Sequence, residues 1–385
     1  MSGLAKDRNI WLSKGFEKPL VTASYFGFVP IEAPKISKEE LALREEFGQH
    51  PHCDPAEHAA FIRSYIESKL LAEPHPISLS YKRCTPGRGA DKYVLHFIGS
   101  NQGVADATLL RGALSILEDF GHKQLIVHVN SLGDKDSLNA YERELHMHVR
   151  KFMPNLPENI QEEIKQDVFR LFHLEHPDLE EIRETAPSSI SSLTTQSRNH
   201  LKDVLEYLEA LGVEFRISHK LVGNKHCSSH TVFAIHDAED ESKTMAYGYH
   251  YGKLGKKVGL KKEMTMASVT VYTDFNKPSQ NKIYKDLPKP KFSLIHLGRE
   301  AKMHVLPIIE LLRHEHIRMH HLLGKDKIAV QLSSAESQPV SHLIIIGQKE
   351  ALENSVTVRN IATRAQETVP VPKLCAYLKH LTLKF

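Results

Sequence analysis

KQLIVHVNSLGDKDSLNAYERELHMHVRKF, residues 123–152, contains the transition around which the chain is organised. Its first part, KQLIVHVNSLG, is a short apolar run that ends in glycine, and such a run is typical of a buried strand. From Asp134 the pattern becomes that of a long helical tract, which reaches residue 212 in several pieces. The stretch therefore predicts a strand of a sheet followed by a helical insertion at about residues 134–212.

The residues before this stretch predict helices and paired strands. Asp54 is a favourable N-cap, and Pro55 suits the first turn of a helix over residues 54–71. Residues 77–99 alternate like two paired strands, ISLSYKRC and KYVLHFIG, around a Pro-Gly-Arg-Gly turn. Further predicted elements are a strand over Phe28–Ile31, a helix over residues 106–121, and strands within 213–235 and 264–275.

KLVGNKHCSSHTVFAI, residues 220–235, raises a functional question. Its apolar ends predict the two halves of a hairpin, whereas residues 223–230 between them are small, polar and turn-like. Such an insert could be a ligand loop, a metal site or the remnant of a lost site. His226, Cys227 and His230 could supply at most three zinc ligands, and ordinary loop residues are the alternative.

The chain changes pattern after a Pro- and Lys-rich stretch, residues 276–291, which predicts a linker between domains. Strands and helices then alternate, which favours a mostly parallel sheet. The predicted elements are strands at 292–298, 317–323 and 342–347, helices at 299–315 and 325–336, a hairpin formed by 355–360 and 367–371, and a last helix over 371–381.

Composition indicates a globular protein of two or three domains. The chain has 385 residues, of which 41% are hydrophobic and 25% charged, with a net charge of +3. Its four cysteines are far apart and form no C-x-x-C pair, which fits a reducing compartment. We find no secretory signal pattern and no apolar run of about 18 residues, so a cytoplasmic location away from membranes is expected.

The positive charge is concentrated near the C-terminus. From Lys291 onward there are 13 Lys and Arg against 8 Asp and Glu, whereas the rest of the chain is slightly acidic. A polyanion such as RNA could use this surface, and a solvated basic surface is the alternative. The run KLGKKVGLKK, residues 253–262, leaves the same two interpretations open, RNA phosphate contact or a solvated hairpin tip. The histidines of RHEHIRMHH, residues 313–321, suggest half-buried packing, with a pH-sensitive contact as the alternative.

The order of these pieces resembles the histidyl-tRNA synthetase family from about residue 25 onward. The resemblance is carried by residues 130–152, 167–172, 181–222 and 231–235, by GSNQGVADATLLRGALSILEDFG at 99–121, and by the tail at 344–369. It implies an α+β fold with a class II synthetase-like antiparallel sheet, flanking helices and a helical insertion, followed by a C-terminal α/β anticodon-binding-like domain. It also implies a homodimer. The predicted domains are a catalytic core at 1–275, a linker at 276–291 and the anticodon-binding-like domain at 292–385.

The insert at 223–228 falls where this family carries Arg-Gly-Leu-Asp-Tyr-Tyr, its histidine-specific signature. A synthetase needs arginines there because the planar guanidinium binds phosphate with two hydrogen bonds and stays charged. This chain instead reads Gly-Asn-Lys-His-Cys-Ser, so Gly223 stands in the arginine position. The resemblance therefore implies that the flanking strands are kept while the chemistry of the loop is lost.

Other family motifs are altered as well. Where the family has Arg-Pro-Glu-Gly-Thr, residues 54–58 are Asp-Pro-Ala-Glu-His, and Glu57 lies one residue from the family's glutamate. Phe-Arg-x-Glu of the second class II motif corresponds to residues 81–84. Lys82 therefore keeps the positive charge of the family's arginine but lacks its planar guanidinium. Arg83 could replace that arginine if the register is shifted by one residue. The two polar positions that follow correspond to Phe97 and Asn101.

The third motif also departs from the family. Gly-Gly-Gly-Arg-Tyr-Asp corresponds to residues 247–252, Tyr-Gly-Tyr-His-Tyr-Gly. The arginine that meets the γ-phosphate of ATP falls at or near Asp274, where a carboxylate would repel the triphosphate by several kcal/mol, on the order of the Coulomb energy at 4 Å in a partly dry site.

These substitutions predict a catalytically inactive protein that retains binding of tRNA, other RNA or a protein partner. No cofactor and no metal site is predicted, although an active site would require ATP and Mg²⁺. The vestigial catalytic positions are Lys82, Arg83, Cys84, Gly223 and Asp274. Candidates for a nucleotide or amino-acid pocket are Glu57, Lys82, Arg83, Lys92, Asn101, His226 and Tyr251. Candidates for RNA contact are Lys256, Lys257, Lys261, Lys262, Arg359, Arg364 and Lys373.

Three alternatives stay open. An active histidine–tRNA ligase with a rearranged site would require Arg83, Lys92 and Glu57 to converge. The synthetase-like regulatory subunit of ATP phosphoribosyltransferase in histidine biosynthesis is a second possibility, although that relative generally lacks the anticodon-binding domain. A purely structural dimerising protein is the third.

Overall fold

The computed structural model describes residues 15–48, 50–84, 91–273 and 283–383. An eight-stranded sheet forms the centre of the first part, with strand order β1-β2-β3-β8-β7-β6-β4-β5. Neighbouring strands are antiparallel except at the two edges, where β1 pairs with β2 and β4 with β5 in parallel. The strands are β1 Val29–Pro30, β2 Ile77–Arg83, β3 Lys92–Ile98, β4 Leu125–Ser131, β5 Phe215–Ile217, β6 Ser229–Asp237, β7 Thr244–His250 and β8 Met266–Tyr272.

Helices cover both faces of this sheet and form the insertion between β4 and β5. They are α1 Lys18–Tyr25, α2 Lys38–Glu46, α3 Pro55–Glu67, α4 Gly103–Asp119, α5 Lys135–Arg150, α6 Glu158–Gln166, α7 Leu179–Glu184 and α8 Thr195–Ala210, with short 3₁₀ turns at Leu70–Ala72, Met153–Asn155, Val168–Phe172, Ser189–Ser192 and Gly252–Val258. The helix beginning at Pro55 has Asp54 as its N-cap, as the sequence predicts.

The two faces of the sheet have different cores. On the α4 face, Leu95, Phe233 and Val269 pack in one hydrophobic cluster with α4. On the opposite face, which we call the α3 face, Val94 and Ala234 pack with α3 in a second cluster. Successive residues of a strand alternate between these faces, so a shift of one residue changes which core a side chain enters.

The C-terminal part contains a five-stranded sheet of order β10-β9-β11-β12-β13. Its first three strands are parallel and its last two are antiparallel, so the predicted mostly parallel sheet is only partly correct. The elements are β9 Phe292–His296, α9 Gly298–Met303, α10 Val305–His314, β10 Met319–His320, α11 Ile328–Glu336, β11 His342–Ile346, α12 Gln348–Leu352, β12 Ser355–Asn360, β13 Gln366–Pro370 and α13 Val371–Leu383.

The two sheets share one hydrophobic core, because buried residues of the C-terminal sheet belong to the same cluster as the α4 face. Charged side chains also cross this boundary. Buried Arg318 donates to the carbonyl oxygens of Ser24 and Pro288 at 3.1 and 2.6 Å. Arg313 is buried beside Glu118 and Asp119, each at 3.5 Å. The predicted α+β fold class is confirmed by the two sheets and their flanking helices.

Several predicted elements are corrected by the structure. Residues 221–222 form no strand, and β5 and β6 lie on opposite sides of β4, so the expected hairpin over 220–235 is wrong. Strand β7 was not predicted, because its glycine and aromatic residues obscure the apolar alternation. The Pro-Gly turn at 86–89, Asp274 and residues 276–282 of the expected linker lie outside the described residues. Of the helices that the structure describes, none combines the length and the apolar character required to cross a bilayer.

Candidate functional site

The α3 face of the large sheet is where the resemblance implies a substrate pocket, and here it is filled by side chains. We call His58, Phe61, Tyr81, His96, Tyr249 and Tyr251 the aromatic cluster. Each of these residues is at most 3% exposed. Phe61 and His96 stack with ring centres 3.7 Å apart and an interplanar angle of 6°. The rings of His58 and Tyr251 are 4.2 Å apart.

Hydrogen bonds satisfy the polar atoms of the aromatic cluster internally. His58 Nε2 lies 2.7 Å from the Ser268 hydroxyl, and the Tyr249 hydroxyl lies 3.1 Å from His58 Nδ1. His96 Nδ1 lies 2.7 Å from the Tyr251 hydroxyl. Burial lowers the pKa values of His58 and His96 and raises those of the buried tyrosine hydroxyls. The cluster is therefore a neutral, satisfied core and not a cationic site.

Glu57 and Arg83 form an ion pair at the edge of the aromatic cluster. Arg83 Nε lies 2.5 Å from Glu57 Oε1, and the Tyr81 hydroxyl donates to the same oxygen at 3.2 Å. Arg83 also donates to the Pro34 carbonyl at 2.7 Å. The side chain of Glu57 is 4% exposed and that of Arg83 is 18% exposed. These contacts use much of the donor capacity that a phosphate ligand would need.

Lys82 and Lys92 lie on opposite faces of the β2–β3 pair. Lys82 contacts Glu17 at 2.7 Å and Asp91 at 2.6 Å, away from the aromatic cluster. Lys92 is directly opposite Arg83 in the strand register, so it shares the α3 face, and its ammonium lies 5.7 Å from the ring centre of Tyr272. Arg83, Glu57 and Lys92 therefore converge at one end of the hairpin, whereas Lys82 does not join them.

Three further motif positions lie outside the aromatic cluster. Phe97 is buried on the α4 face, and His96 is the neighbour that faces α3. Asn101 is exposed in the loop between β3 and α4. Cys84 is exposed at the end of β2. The pocket role predicted for Asn101 is thus not supported by its position, because the strand has ended before it.

The loop at 218–228 is a partly buried connection that is fixed by side-chain contacts, with His226 exposed. Asn224 donates to the Phe47 carbonyl at 2.9 Å, and His226 stacks on the Phe47 ring with centres 5.2 Å apart. Cys227 is buried with its sulfur 3.1 Å from that of Cys53. A Cβ added at Gly223 would lie 2.5 Å from Ser228 Cβ. The loop therefore has no room for the arginine that the family carries at this position.

His226, Cys227 and His230 do not form the zinc site considered from the sequence. His226 contacts Phe47, Cys227 contacts Cys53, and His230 faces His200 and His250, with ring centres 5.8 and 5.3 Å away. The three side chains diverge because the loop turns sharply at Asn224, whose carbonyl accepts from the Cys227 and Ser228 amides.

The lysine run at 253–262 lies in the connection between the antiparallel strands β7 and β8, where a 3₁₀ turn is followed by a turn at Gly259 and bends at Lys261 and Lys262. Lys253 is partly buried and donates to the Lys225 carbonyl at 3.1 Å. Lys256 lies 3.5 Å from Glu263, and Lys257 pairs with Glu46 while covering the Phe47 ring at 4.2 Å. Lys261 and Lys262 are exposed. Only part of the run is thus available to an RNA phosphate.

Two of the three C-terminal candidates, Arg364 and Lys373, lie beyond the two ends of β13, the edge strand of the second sheet. Arg364 is exposed in the turn between β12 and β13 and has a φ of +59°. Arg359 is half-buried on β12, and exposed Lys373 lies in the first turn of α13, beyond the other end of β13. Arg364 and Lys373 are therefore separated by roughly the length of β13, about 17 Å, since a strand rises by about 3.4 Å per residue.

Several residues that define the filled pocket were missed by sequence reasoning. His58, His96 and Tyr249 come from α3, β3 and β7, and the three lie far from one another in the sequence. A usable signal was present at Tyr247 and Tyr249, since both occupy positions that the resemblance assigns to glycine. Rings at these positions enter the space that glycine would leave open.

Comparisons with known proteins agree with this architecture. The model of the anticodon binding domain family matches residues 291–381. The histidine–tRNA ligases of Anoxybacillus flavithermus and Bacillus subtilis are 25% and 26% identical over 369 residues, covering 90% and 89% of this chain and 85% of each of those proteins. The crystal structure of apo S. aureus histidyl-tRNA synthetase is similar with a TM-score of 0.51, at 22% identity and over 92% of both chains, and this likeness shows the fold.

The large antiparallel sheet and the C-terminal anticodon binding domain define a class II synthetase-like protein. Along nearly its whole length the chain is similar to histidine–tRNA ligases, and this similarity supports the family that the sequence resemblance indicates.

Proposed function

We propose that this protein is a non-catalytic member of its family that binds tRNA through its C-terminal domain. The observation that carries the first half of the proposal is the aromatic cluster, which occupies the α3 face with buried, mutually hydrogen-bonded side chains. Ligand pockets are concave and present unsatisfied polar groups to the ligand. A packed and satisfied core offers neither.

The charged groups near this face support the same conclusion. ATP activation requires cations whose donors are directed at the phosphates. Arg83 is instead paired with Glu57, and Asp54, at a family arginine position, caps α3 and pairs with Arg44. The described residues thus do not fit an Mg²⁺–ATP complex on this face.

RNA binding is supported by the C-terminal domain. The match to the anticodon binding domain family covers residues 291–381. The similar proteins are named histidine–tRNA ligases, and that name gives tRNA as their substrate. Arg364 and Lys373 are exposed on the edge strand side, where a phosphate backbone can approach. Such contacts make affinity fall with salt.

Direct binding of tRNA tests this half of the proposal. Fluorescence anisotropy with labelled histidine tRNA is measured at several salt concentrations for the wild type and for Arg364→Glu combined with Lys373→Glu. We expect the double variant to bind at least 10-fold more weakly and to lower the salt slope by about 2. Lys349→Glu, a reversal of an exposed lysine on α12, is the control. A wild type that binds no tRNA at low salt would contradict the proposal.

An active ligase with a rearranged site is a second candidate, because Arg83, Glu57 and Lys92 do converge. Calorimetry with ATP and histidine, and histidine-dependent pyrophosphate exchange, separate the two. We expect neither ligand binding nor exchange. Exchange that is abolished by Glu57→Gln would establish the ligase instead. Histidine binding without exchange would favour the regulatory-subunit alternative, since that relative tends to keep its histidine pocket.

The expected homodimer and the domain limits at 275 and 292 remain part of the proposal. Family members pair through the class II core, so a dimer of about twice the 43.6 kDa chain mass is expected in light scattering. Limited proteolysis that cuts within residues 276–282 tests the domain limits. Because the two sheets share one hydrophobic core, the proposed C-terminal domain should be released only if that core opens.

A further inference from the structure

Three side chains on the α4 face form a compact group of metal-ligand atoms, away from the aromatic cluster. Asp106, His200 and His250 each offer one ligand atom, and these atoms lie within 4.8 Å of one another. His250 Nε2 is 2.7 Å from Asp106 Oδ1, and His200 Nε2 is 3.4 Å from Asp106 Oδ2. Asp106 and His250 are 1% and 2% exposed.

The fold brings these residues together from distant parts of the chain. Asp106 lies in the first turn of α4, and His200 lies on α8, one turn before Asp203. The two helices approach closely because Gly103 has no side chain, and its amide donates to Asp203 at 2.9 Å. His250 ends β7, whose alternate residues face α4. The site is therefore closed by three separate elements.

His230 completes the group as a fourth candidate ligand. It has a φ of +51° at an irregular position of β6, and this conformation is unusual for a residue with a side chain. Its ring centre lies 5.3 Å from that of His250 and 5.8 Å from that of His200, and those two are also 5.8 Å apart. Three imidazoles on one tetrahedral ion, with metal–nitrogen bonds of about 2 Å, have ring centres roughly 5 Å apart.

The group contains polar atoms that protein hydrogen bonds do not satisfy. His200 Nδ1 and His250 Nδ1 are buried without a hydrogen-bond partner among the described residues, and Asp106 Oδ2 has only its 3.4 Å contact with His200 Nε2, which is too poorly aligned to count as a hydrogen bond. Buried polar atoms are normally paired, so such a concentration in one place indicates a partner beyond these side chains. An ion between the carboxylate and the imidazoles would satisfy Asp106 Oδ2, and water could serve the outer ring nitrogens.

We propose that Asp106, His200 and His250, with His230 as fourth ligand, bind one divalent transition-metal ion, with Zn²⁺ as the expected ion. Imidazole-rich sets select Zn²⁺ and related ions, whereas Mg²⁺ and Ca²⁺ prefer oxygen ligands. Burial and a nearly complete protein ligand set are typical of a structural site. The ion would join α4, α8 and the sheet, and so fix the helical insertion on the catalytic core.

Metal binding by the full-length protein tests this proposal without any assay of activity. The chain is stripped with chelator, and Zn²⁺ is titrated against a competing chromophoric chelator, while Co²⁺ substitution reports geometry through its visible absorption. We expect one tight site per chain, a tetrahedral Co²⁺ spectrum and a higher Tm with metal. His200→Gln should weaken Zn²⁺ binding by about 100-fold or more and remove the Co²⁺ spectrum.

Two further variants make the result decisive. Asp106→Asn tests the contribution of the carboxylate to metal binding. Circular dichroism checks that each variant folds. The His200→Gln variant should fold, because His200 lies at the edge of the site with 12% side-chain exposure. His236→Gln is the matched control, because this half-buried β6 histidine also faces another histidine ring, that of His128 at 4.8 Å. The proposal is overturned if folded His200→Gln binds Zn²⁺ like the wild type, or if the wild type binds none tightly.

Discussion

Single residues decide the difference between this chain and the motifs of the family that it resembles. Tyr247 and Tyr249 place buried rings where glycine would leave space, and Gly223 removes a side chain where arginine would be needed. The two kinds of change are complementary, because the loop at 223 packs tightly over the filled face. Reversing one substitution alone is therefore not expected to restore a pocket.

At this scale the packing of Gly223 gives a prediction. Gly223→Ala should lower the free energy of unfolding by about 1–3 kcal/mol, since the new Cβ would lie 2.5 Å from Ser228 Cβ. Ser228→Gly in the same chain should recover most of this loss, because it removes the atoms that clash. Urea unfolding of both single variants and the double variant measures the coupling. A double variant that is no more stable than Gly223→Ala would show that another contact excludes the side chain.

Among the elements, α3 has the largest influence on the candidate site, because it supplies Glu57, His58 and Phe61. Its start is fixed by Asp54, whose carboxylate accepts from the amides of Ala56 at 3.1 Å and Glu57 at 3.4 Å. The same carboxylate receives the Arg44 guanidinium at 3.0 and 2.5 Å. Burial raises the pKa of Asp54, but the Arg44 contact outweighs it, so the net shift is downward.

The cap of α3 can be separated from its ion pair by two substitutions. Asp54→Ala should cost about 1–2 kcal/mol of unfolding free energy, because the first amides of α3 lose their acceptor. Asp54→Asn keeps a capping oxygen and loses the charge, so it should cost much less, given that Arg44 is 45% exposed. Chemical denaturation compares the two. Equal losses would mean that the Arg44 pair, and not the cap, stabilises this helix start.

The two sheets of the molecule are joined through their core, since both contribute buried residues to one hydrophobic cluster. The segment 313–321 lies at their boundary. His321 Nε2 is 3.1 Å from the Tyr25 carbonyl, and burial lowers the pKa of His321 to about 4. Burial likewise lowers the pKa values of His52 and His173 to about 4.

These histidines predict acid sensitivity of the folded chain. Their folded pKa values lie below the ordinary 6.5, so the unfolded state binds more protons between about pH 4 and 6.5. Stability is therefore present above pH 6.5 and lost as the pH falls toward 4. Thermal unfolding at pH 7.5, 6.0 and 5.0 should show a falling Tm. His321→Gln should reduce the slope, whereas His380→Gln, at an exposed position of α13, should not. An unchanged slope in His321→Gln would exclude this residue as a cause.

The sequence predicted features that depend on local pattern. The N-cap at Asp54, the β2–β3 pair, the helical insertion and the C-terminal alternation follow from periodicity, turn residues and capping. The hairpin at 220–235 was wrong, and the zinc interpretation of His226, Cys227 and His230 is excluded in favour of the alternative, ordinary loop residues. Local spacing could not show that β5 and β6 lie on opposite sides of β4, nor that neighbouring side chains of the loop diverge.

By itself, then, the sequence indicated the family resemblance, most of the helices and strands, and the positions at which the chain departs from the family motifs. Only the tertiary structure decided what fills the pocket and which distant residues meet. His58, His96 and Tyr249 form one cluster, and Asp106, His200 and His250 another, although members of each lie 38 or more residues apart in the chain. The physical reason is that such groups depend on strand register and helix packing, which are set by long-range burial and not by local preference.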